Sequence, residues 1–344
     1  IIMNLPEPDT FQSNRYFTAE FFASAVRHLR PGGVFAFAME GYDNFLGEPQ
    51  RHTLSSVFNT AGKYFANLLL LPGGRVFFLC RDQPLTADIP ARLAELGIVT
   101  QYVGNYFAGD LTPERIAYLR GELEAAAPLN TDLKPQLMRL MLQQWFARFQ
   151  TSPVWFYGLL ALALALYLQR LRREEFALFS TGFTVMSSEV LVIFAFQIYY
   201  GYIYSQIGLI VTVFLGGLLP GAWWISRRAG SPVRFMAWAD VSLILLLGMF
   251  LIVLTGGEEI LSMAMLLGFG FAVSLLCGGQ LVAALQISGG DNPAVTRVFS
   301  ADLIGAAAGV LLTSVVLIPL TGVVMTILAL LALKSLSLLL VRRL

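Results

Sequence analysis

The first 126 residues alternate short apolar runs with longer stretches of mixed polarity. Short apolar runs bounded by turn residues are typical of buried strands, and the mixed stretches predict helices. Thr18 and Thr112 are expected N-caps, and Pro31-Gly32-Gly33 ends the first long helix. We place strands at 1–4, 34–39, 68–71 and 76–80, and helices at 18–30, 50–65, 89–96 and from 112 onward. This alternation predicts an α/β module with a mostly parallel, doubly wound sheet that binds ligands at the carboxyl ends of its strands.

Beyond residue 152 the pattern changes to apolar runs as long as a membrane is thick. A bilayer core of ~30 Å needs about 20 residues of apolar helix. Seven runs can be drawn, of which the first is short: 153–168, 177–199, 202–225, 235–255, 259–286, 299–318 and 322–341. Glycines such as Gly305 and Gly309 predict close packing between these helices. We therefore divide the chain into a soluble module at 1–128, a junction at 129–152 and an all-α, polytopic transmembrane bundle at 153–344.

The junction carries a helical pattern at 136–150 that has two interpretations. Trp145 and Phe149 lie near Arg139 and Arg148, which suits a helix at the lipid headgroup layer. A helix packed on the soluble module explains the same pattern, and both interpretations stay open.

Composition and charge narrow the class of protein. Residues 1–150 carry 13 Lys/Arg and 14 Asp/Glu, whereas the other 194 residues carry 10 and 8. The net charge of +1 gives no reason to expect a nucleic acid partner. Cys80 and Cys277 lie in different modules, so we expect no disulfide, and the two histidines predict no metal site. A lipid bilayer is the expected partner, and a second copy of the chain is another candidate.

Arginines mark one side of the bundle. The short loops on the opposite side, around Tyr202, Glu258 and Thr321, lack Lys and Arg, so the positive-inside rule makes the arginine side cytoplasmic. If 153–168 spans the bilayer, the soluble module is outside. If that run is re-entrant or interfacial, six spans remain and the module is cytoplasmic. We favour this second arrangement and expect a multi-pass protein of the inner (plasma) membrane. The arginines are Arg170, Arg172, Arg173, Arg227, Arg228, Arg234, Arg297, Arg342 and Arg343.

Four segments of the soluble module have the order and spacing of a known family. They are Ile1-Ile2-Met3-Asn4-Leu5-Pro6-Glu7-Pro8, Asn14-Arg15-Tyr16-Phe17-Thr18-Ala19-Glu20-Phe21-Phe22, Leu29-Arg30-Pro31-Gly32-Gly33 and Leu71-Pro72-Gly73-Gly74-Arg75-Val76-Phe77-Phe78-Leu79-Cys80. Together they resemble the later half of the spermidine synthase (polyamine aminopropyltransferase) domain. Residues 189–221 and 301–322 are similar to the bacterial branch that fuses this domain to transmembrane helices. The resemblance implies a partial Rossmann-like, methyltransferase-type sheet.

The resemblance also implies where the reaction would occur. The family strand ends in D-x-x-D-P, whose first Asp accepts a proton from the amine and whose second holds the polyamine. Those positions are Asn4 and Glu7 here, and a carboxamide cannot act as a general base. Glu7 keeps the charge and could hold or deprotonate an amine, or it merely caps the loop. Asn14 is a further candidate for substrate binding, whereas the family's Tyr and Gln fall at Leu71 and Ala38.

The cofactor that the resemblance implies is decarboxylated S-adenosylmethionine or S-adenosylmethionine. Its Gly-rich binding loop is expected before residue 1, in a longer protein of which this chain would be the C-terminal part. A small cationic or amine metabolite is the expected substrate.

Polar residues inside the apolar runs are costly in hydrocarbon and are therefore candidate functional residues. Glu189 and Gln197 share one helical face, and Gln280 lies beside two glycines. Asp240 and Asp302 are expected to pair with Arg234 and Arg297 near the arginine side. Glu189 is either a ligand or proton site or an interior hydrogen-bonding group.

Two functional hypotheses follow, with a purely structural membrane role as a third. The first is a membrane-bound enzyme that moves an aminopropyl or related group from a sulfonium nucleoside to an amine. The second is a transporter-like protein with a non-catalytic sensing module and a path lined by Glu189, Gln197 and Gln280.

Overall fold

The computed structural model describes residues 1–42, 45–103, 111–201, 204–227, 230–256, 262–289 and 292–343, with the side chains of 147, 148, 204 and 205 excepted. The chain divides into two compact units, Ile1–Ser152 and Pro153–Leu344. The boundary falls where the hydropathy pattern changes. Arg228 and the loops at Tyr202 and Glu258, which entered the topology argument, lie outside the described residues.

The soluble unit is built on a small mixed sheet. Its strands are β1 (Ile2–Met3), β2 (Phe35–Glu40), β3 (Asn67–Leu71) and β4 (Arg75–Arg81), in the order β1-β2-β4-β3. Only β1 and β2 run parallel, and the other two pairs are antiparallel. The expectation of a mostly parallel sheet is wrong for the described strands. The turn Pro72-Gly73-Gly74 explains the error, because three residues can join antiparallel strands but are too few for a parallel crossover.

Helices cover this sheet and end near the predicted residues. They are α1 (Phe11–Asn14), α2 (Ala19–His28), α3 (Glu48–Gly62), α4 (Ile89–Glu95), α5 (Pro113–Glu122) and α6 (Gln136–Arg148). Both predicted N-caps are confirmed: the Thr18 hydroxyl accepts from the amide of Phe21, and the Thr112 hydroxyl accepts from the amide of Arg115. The core is aromatic and includes Phe17, Phe22, Phe35, Phe37 and Phe78.

The junction helix α6 packs on the soluble unit through its first turns. Leu137 is fully buried in the aromatic core and Met138 is buried beside it. Trp145 and Phe149, near the other end, remain exposed. The packed interpretation is therefore confirmed for the start of the helix, because Leu137 contributes its whole side chain to the core.

Asn130 joins the junction to three other parts of the soluble unit. Its Nδ2 donates to Asn14 Oδ1 (3.1 Å) and to the carbonyl of Phe17 (3.0 Å). Its Oδ1 accepts from the Leu137 amide, and its own amide donates to the Thr60 hydroxyl. The residue is completely buried. A buried polar network of this kind stabilises a fold only when all of its members are satisfied.

The second unit consists of apolar helices. They are α7 (Pro153–Leu168), α8 (Arg173–Tyr200), α9 (Tyr204–Ser226), α10 (Pro232–Thr255), α11 (Met263–Ile287), α12 (Asn292–Leu312), α13 (Ile318–Thr321) and α14 (Val323–Val341), with a π-helical turn at Thr313–Leu317 between α12 and α13. Within the described ranges, six helical segments are long and apolar enough to cross a membrane, and α7 is shorter. The chain is therefore a multi-pass membrane protein.

Glycines set the close contacts in this bundle, as the sequence predicts. A Cβ at Gly305 would overlap the carbonyl of Phe179 on α8, and one at Gly309 would overlap the carbonyl of Phe183. Gly221 on α9 meets the backbone of Leu275 on α11 in the same way. Backbones approach this closely in lipid because association there depends on van der Waals packing rather than on the hydrophobic effect.

Asn130→Ala should loosen the soluble unit. The substitution leaves a buried carbonyl and a buried amide without partners, which costs about 2 kcal/mol and accelerates amide exchange in residues 19–28 by ~30-fold. Hydrogen-exchange mass spectrometry of the full chain in detergent measures this. Asn67→Ala, which removes an exposed bond to the Asp82 carbonyl, is the control and should leave exchange unchanged. Equal exchange in both variants would contradict the assignment.

Candidate functional sites

An acidic cavity lies in the soluble unit, where the parallel strands β1 and β2 end. Its volume is about 430 Å³. Glu7 follows β1 and Glu40 is the last residue of β2, so two carboxylates come from adjacent strand ends. Asp9 adds a third, and Trp145 of α6 supplies an aromatic wall. No Lys or Arg is among the described residues that line the cavity. Its lining is thus suited to a cation.

Glu7 is held by contacts to one of its two carboxylate oxygens. Oε1 accepts from the amide of Glu40 at 2.7 Å and lies 3.6 Å from a guanidinium nitrogen of Arg75. Within the described part of the chain Oε2 accepts no hydrogen bond, which leaves this oxygen for a ligand. Burial raises the pKa of Glu7 above its usual range, although the Glu40 amide and Arg75 act in the opposite direction. A half-buried carboxylate with a raised pKa is a candidate general base.

The wall of the cavity is fixed by an amide side chain of α3. Gln50 Nε2 donates to the carbonyls of Glu40 and Gly41, which fastens the end of β2 to this helix. The Arg75 guanidinium donates to the Ala38 carbonyl at 3.1 Å on the same strand. These bonds hold the strand end from which Glu40 projects and against which Glu7 is positioned.

Two of the three site residues predicted in the soluble module lie elsewhere. Asn4 is exposed and is not part of the cavity lining. Asn14 is buried, its side-chain oxygen accepts from Asn130, and it is not part of the cavity lining. Of the three, only Glu7 lines the cavity. Cys80 offers no nucleophile, because burial raises the pKa of its thiol to about 12.

Sequence reasoning missed Asp9, Glu40, Gln50 and Trp145, although a signal existed for Glu40. It ends a strand next to the one that Glu7 follows, and parallel strands present their carboxyl ends at the same edge of a sheet. Nothing local in the sequence points to Trp145, because its place in the cavity depends on how α6 packs.

A second polar cluster is completely buried among the membrane helices. Lys334 of α14 and Asp240 of α10 form an ion pair, with 2.6 Å between Nζ and Oδ1, and neither side chain is exposed. Gln280 of α11 donates to the same Asp240 oxygen at 2.8 Å and to the Met236 carbonyl. Ser337 donates to the other Asp240 oxygen at 2.7 Å. Four helices meet here, since Lys334 also donates to hydroxyls of α8.

The predicted pairs with arginine are wrong. Asp240 binds Lys334 instead of Arg234, and Arg297 binds Glu175 at 3.0 Å instead of Asp302. Both predictions chose the nearest arginine along the chain. In a helix bundle the partner is set by which faces pack together, and that depends on tertiary structure.

Asp302 and the remaining intramembrane residues occupy other positions. Asp302 packs against Gly182 of α8, and its Oδ1 is buried without a hydrogen bond to any described residue. Gln280 reaches α8 at Thr181, which donates to its side-chain oxygen. At 1.5 Å per residue, Glu189 and Gln197 lie about 12 and 24 Å further along α8. Glu189 and Gln197 are therefore not part of the cluster around Gln280, and the path lined by these three residues stays a prediction.

Comparison with known proteins found no relative of this chain. No family model matches the chain, and neither a curated protein nor a solved structure matches it. Over the described ranges, no group of three or more His, Cys, Asp or Glu side chains is arranged to hold a metal ion.

The buried ion pair predicts an asymmetric response to substitution. Asp240→Leu or Lys334→Leu leaves one buried charge unpaired and should cost about 3–5 kcal/mol, whereas the double variant should recover most of that loss. Unfolding of the membrane unit is measured with a thiol-reactive dye in a Cys80→Ser background. The dye labels Cys277 only when unfolding exposes this buried thiol.

Ser335→Leu serves as the control, because Ser335 is an exposed residue of the same helix. It should leave the thermal transition unchanged. A double variant as unstable as the single variants would contradict the pairing.

Proposed function

We propose that the soluble unit binds a small amine cation in its acidic cavity and belongs to a membrane-bound enzyme of the spermidine synthase-like class. The observation that carries the proposal is the cavity itself: three carboxylates and an indole ring line a space of about 430 Å³, and its described lining residues include no Lys or Arg. Carboxylates pair with ammonium groups, and an indole face attracts cations. A diamine or triamine of low molecular mass is the ligand class that matches this lining.

Glu7 is the residue that we propose to hold the reacting nitrogen. Its Oε1 is anchored by the Glu40 amide, which leaves Oε2 to accept a hydrogen bond from the amine. When the nitrogen forms a bond to carbon it must lose a proton, and Glu7 accepts that proton. The raised pKa supports this role, because a base is most effective when its pKa approaches the working pH. Asn4 cannot substitute for it, since an amide is not protonated near neutral pH.

The cofactor enters this proposal through the resemblance alone. Decarboxylated S-adenosylmethionine or S-adenosylmethionine would supply the electrophilic carbon when bound. Its sulfonium charge is compatible with the carboxylates of the cavity, but none of the lining residues is assigned to the nucleoside. The roles proposed for the described residues are to bind the amine, to orient it and to accept its proton.

We also propose that the soluble unit faces the cytoplasm. Six apolar helices of membrane-spanning length together with the shorter α7 support the six-span arrangement. With the arginine side inside, α8 then starts on the cytoplasmic side. A protease added to sealed, inside-out vesicles should cleave the soluble unit, and one added to intact cells should not.

Glu7→Gln should remove most of the affinity for an amine. The isosteric amide keeps the hydrogen bond from Glu40 but loses the charge, and a charged hydrogen bond is worth ~1.5–3 kcal/mol, or about 10–100-fold in Kd. Calorimetry of the full chain in detergent with putrescine measures this. Glu95→Gln, an exposed residue that contacts Arg92, is the matched control and should bind like the unmodified chain. Equal affinity in both variants would exclude Glu7.

As the pH is lowered, amine binding should be lost at a higher pH than it would be if Glu7 had the pKa of an ordinary glutamate. Burial raises the pKa of Glu7, and only the carboxylate form binds an ammonium group. Binding is therefore present above this pKa and is lost as the pH falls through it, with a midpoint above the usual ~4.3. The measurement is Kd for putrescine as a function of pH, which reports the pKa of the free protein. A midpoint at or below the usual value would contradict a desolvated carboxylate.

Group transfer is tested by the products. The full-length protein, with the cofactor-binding loop that the resemblance implies, should release methylthioadenosine and spermidine in equal amounts when it is supplied with decarboxylated S-adenosylmethionine and putrescine, as chromatography can show. Removing a general base lowers kcat by ~10²–10⁴-fold, so Glu7→Gln should form product at that reduced rate. If amine binding is measured but neither product forms, the transferase part of the proposal is wrong and the binding part stands.

A further inference from the structure

The ammonium group of Lys334 lies in a set of oxygen atoms that resembles a ligand site. Nζ is 2.6 Å from Asp240 Oδ1, 2.8 Å from Thr181 Oγ1 and 3.2 Å from Ser180 Oγ. A primary ammonium group has three N–H donors, and three acceptors surround this one. All four residues are completely buried. The Lys334 ammonium group thus has the complete set of acceptors that a primary ammonium group requires.

The carboxylate in this site is oriented independently of Lys334. Gln280 donates to Asp240 Oδ1 and Ser337 donates to Oδ2. Gln280 is itself fixed by the Met236 carbonyl and by Thr181. Asp240 would therefore keep its orientation and two donors if Lys334 left. A site whose anionic side is preformed can accept a replacement cation without rebuilding.

The energetics of the pair favour a role beyond packing. A buried ion pair seldom adds net stability compared with an apolar pair of similar volume. Charged residues inside a membrane bundle are costly and commonly mark substrate, ion or proton pathways. Lysine is also the cationic side chain that can give up its proton when buried, which arginine cannot do.

We propose that Asp240, Ser180 and Thr181 form a binding site for a primary ammonium cation, which Lys334 fills as an internal ligand, and that the membrane unit exchanges this cation for a proton. In the exchange, an N–H bond of Lys334 breaks, its proton goes to water, and the neutral amine withdraws from Asp240. The incoming R–NH₃⁺ takes the same three acceptors. The site carries one carboxylate and one ammonium before and after, so its charge stays zero. This function concerns the membrane unit and does not depend on the cavity of the soluble unit.

Other titratable groups near the site come from two neighbouring helices. Asp302 of α12 packs against Gly182, which follows Thr181 in the chain, and Cys277 of α11 lies one turn from Gln280. Asp302 is the group that could release or take up a proton in place of Lys334, because its Oδ1 is buried without a hydrogen bond to a described residue. On α8 the residues that contact Lys334 are hydroxyls, which do not titrate near neutral pH. The experiment must therefore separate Lys334 from Asp302.

Proton release on ammonium binding tests the proposal. The full chain carrying Glu7→Gln, in detergent micelles and weak buffer, is titrated with ethylammonium chloride while a pH-indicator dye reports protons. We expect release that saturates at one proton per chain. Tetramethylammonium chloride has no N–H donor and should give no release at equal ionic strength. The Glu7→Gln background removes the cavity carboxylate of the proposed enzyme site, so failure here leaves that proposal untouched.

Lys334→Arg is the decisive variant, because arginine keeps the ion pair with Asp240 but cannot lose a proton. It should remain folded and release none, and Asp240→Asn should also release none. Asp302→Asn should still release a proton. The proposal is wrong if the parent chain releases no proton, or if sodium chloride causes the same proton release as ethylammonium chloride. It is also wrong if proton release persists in Lys334→Arg or disappears in Asp302→Asn.

Discussion

A charge that leaves water must be given partners for all of its hydrogen-bonding positions, and this constraint organises the chain. Lys334 has three acceptors for its three donors, and Asp240 has three donors on its two oxygens. Satisfying these two groups requires side chains from four helices, and it fixes the rotation of each helix about its own axis. In the soluble unit Glu7 is only partly desolvated, and a backbone amide and an arginine satisfy only one of its oxygens.

The difference between the two carboxylates explains why they suit different chemistry. Asp240 is saturated, so a new cation can enter only by replacing Lys334. Glu7 retains an oxygen beside an open cavity, so an amine can bind without displacing any part of the protein. The ligand proposed for both places is an ammonium group, because a carboxylate beside hydrogen-bonding oxygens or an indole ring favours a cation with N–H donors. The two proposed sites, one in each unit, are thus chemically related.

Local rules predicted the elements that depend on local structure. The lengths of the apolar runs predicted six spanning helices with a short one before them, and Thr18 and Thr112 cap helices because a cap uses only neighbouring amides. Glu7 was singled out through the resemblance to the D-x-x-D-P pattern, and it lines the cavity because it follows β1. The antiparallel pairing of β3 and β4 was also readable, since Pro72-Gly73-Gly74 is too short for a crossover, but the alternation of elements was given more weight.

What escaped prediction depends on which faces pack together. The cost of placing Lys334 in lipid is plain from the sequence, but Asp240 lies 94 positions away, and the nearer Arg234 was chosen for it. Trp145 reaches the cavity only because Leu137 anchors the start of α6 in the aromatic core. Asn14 was assigned to the substrate through the resemblance, which says nothing about the burial of this side chain. In the structure its Oδ1 accepts from Asn130, which lies 116 residues away.

The acidic cavity of the soluble unit is the site that we propose to bind an amine. An experimental structure of the full chain prepared with putrescine tests it most directly. We expect density for the diamine between Glu7 and Trp145, with a nitrogen within hydrogen-bonding distance of the Glu7 carboxylate. Density for the diamine at another place, with the cavity holding only solvent under saturating putrescine, would contradict it.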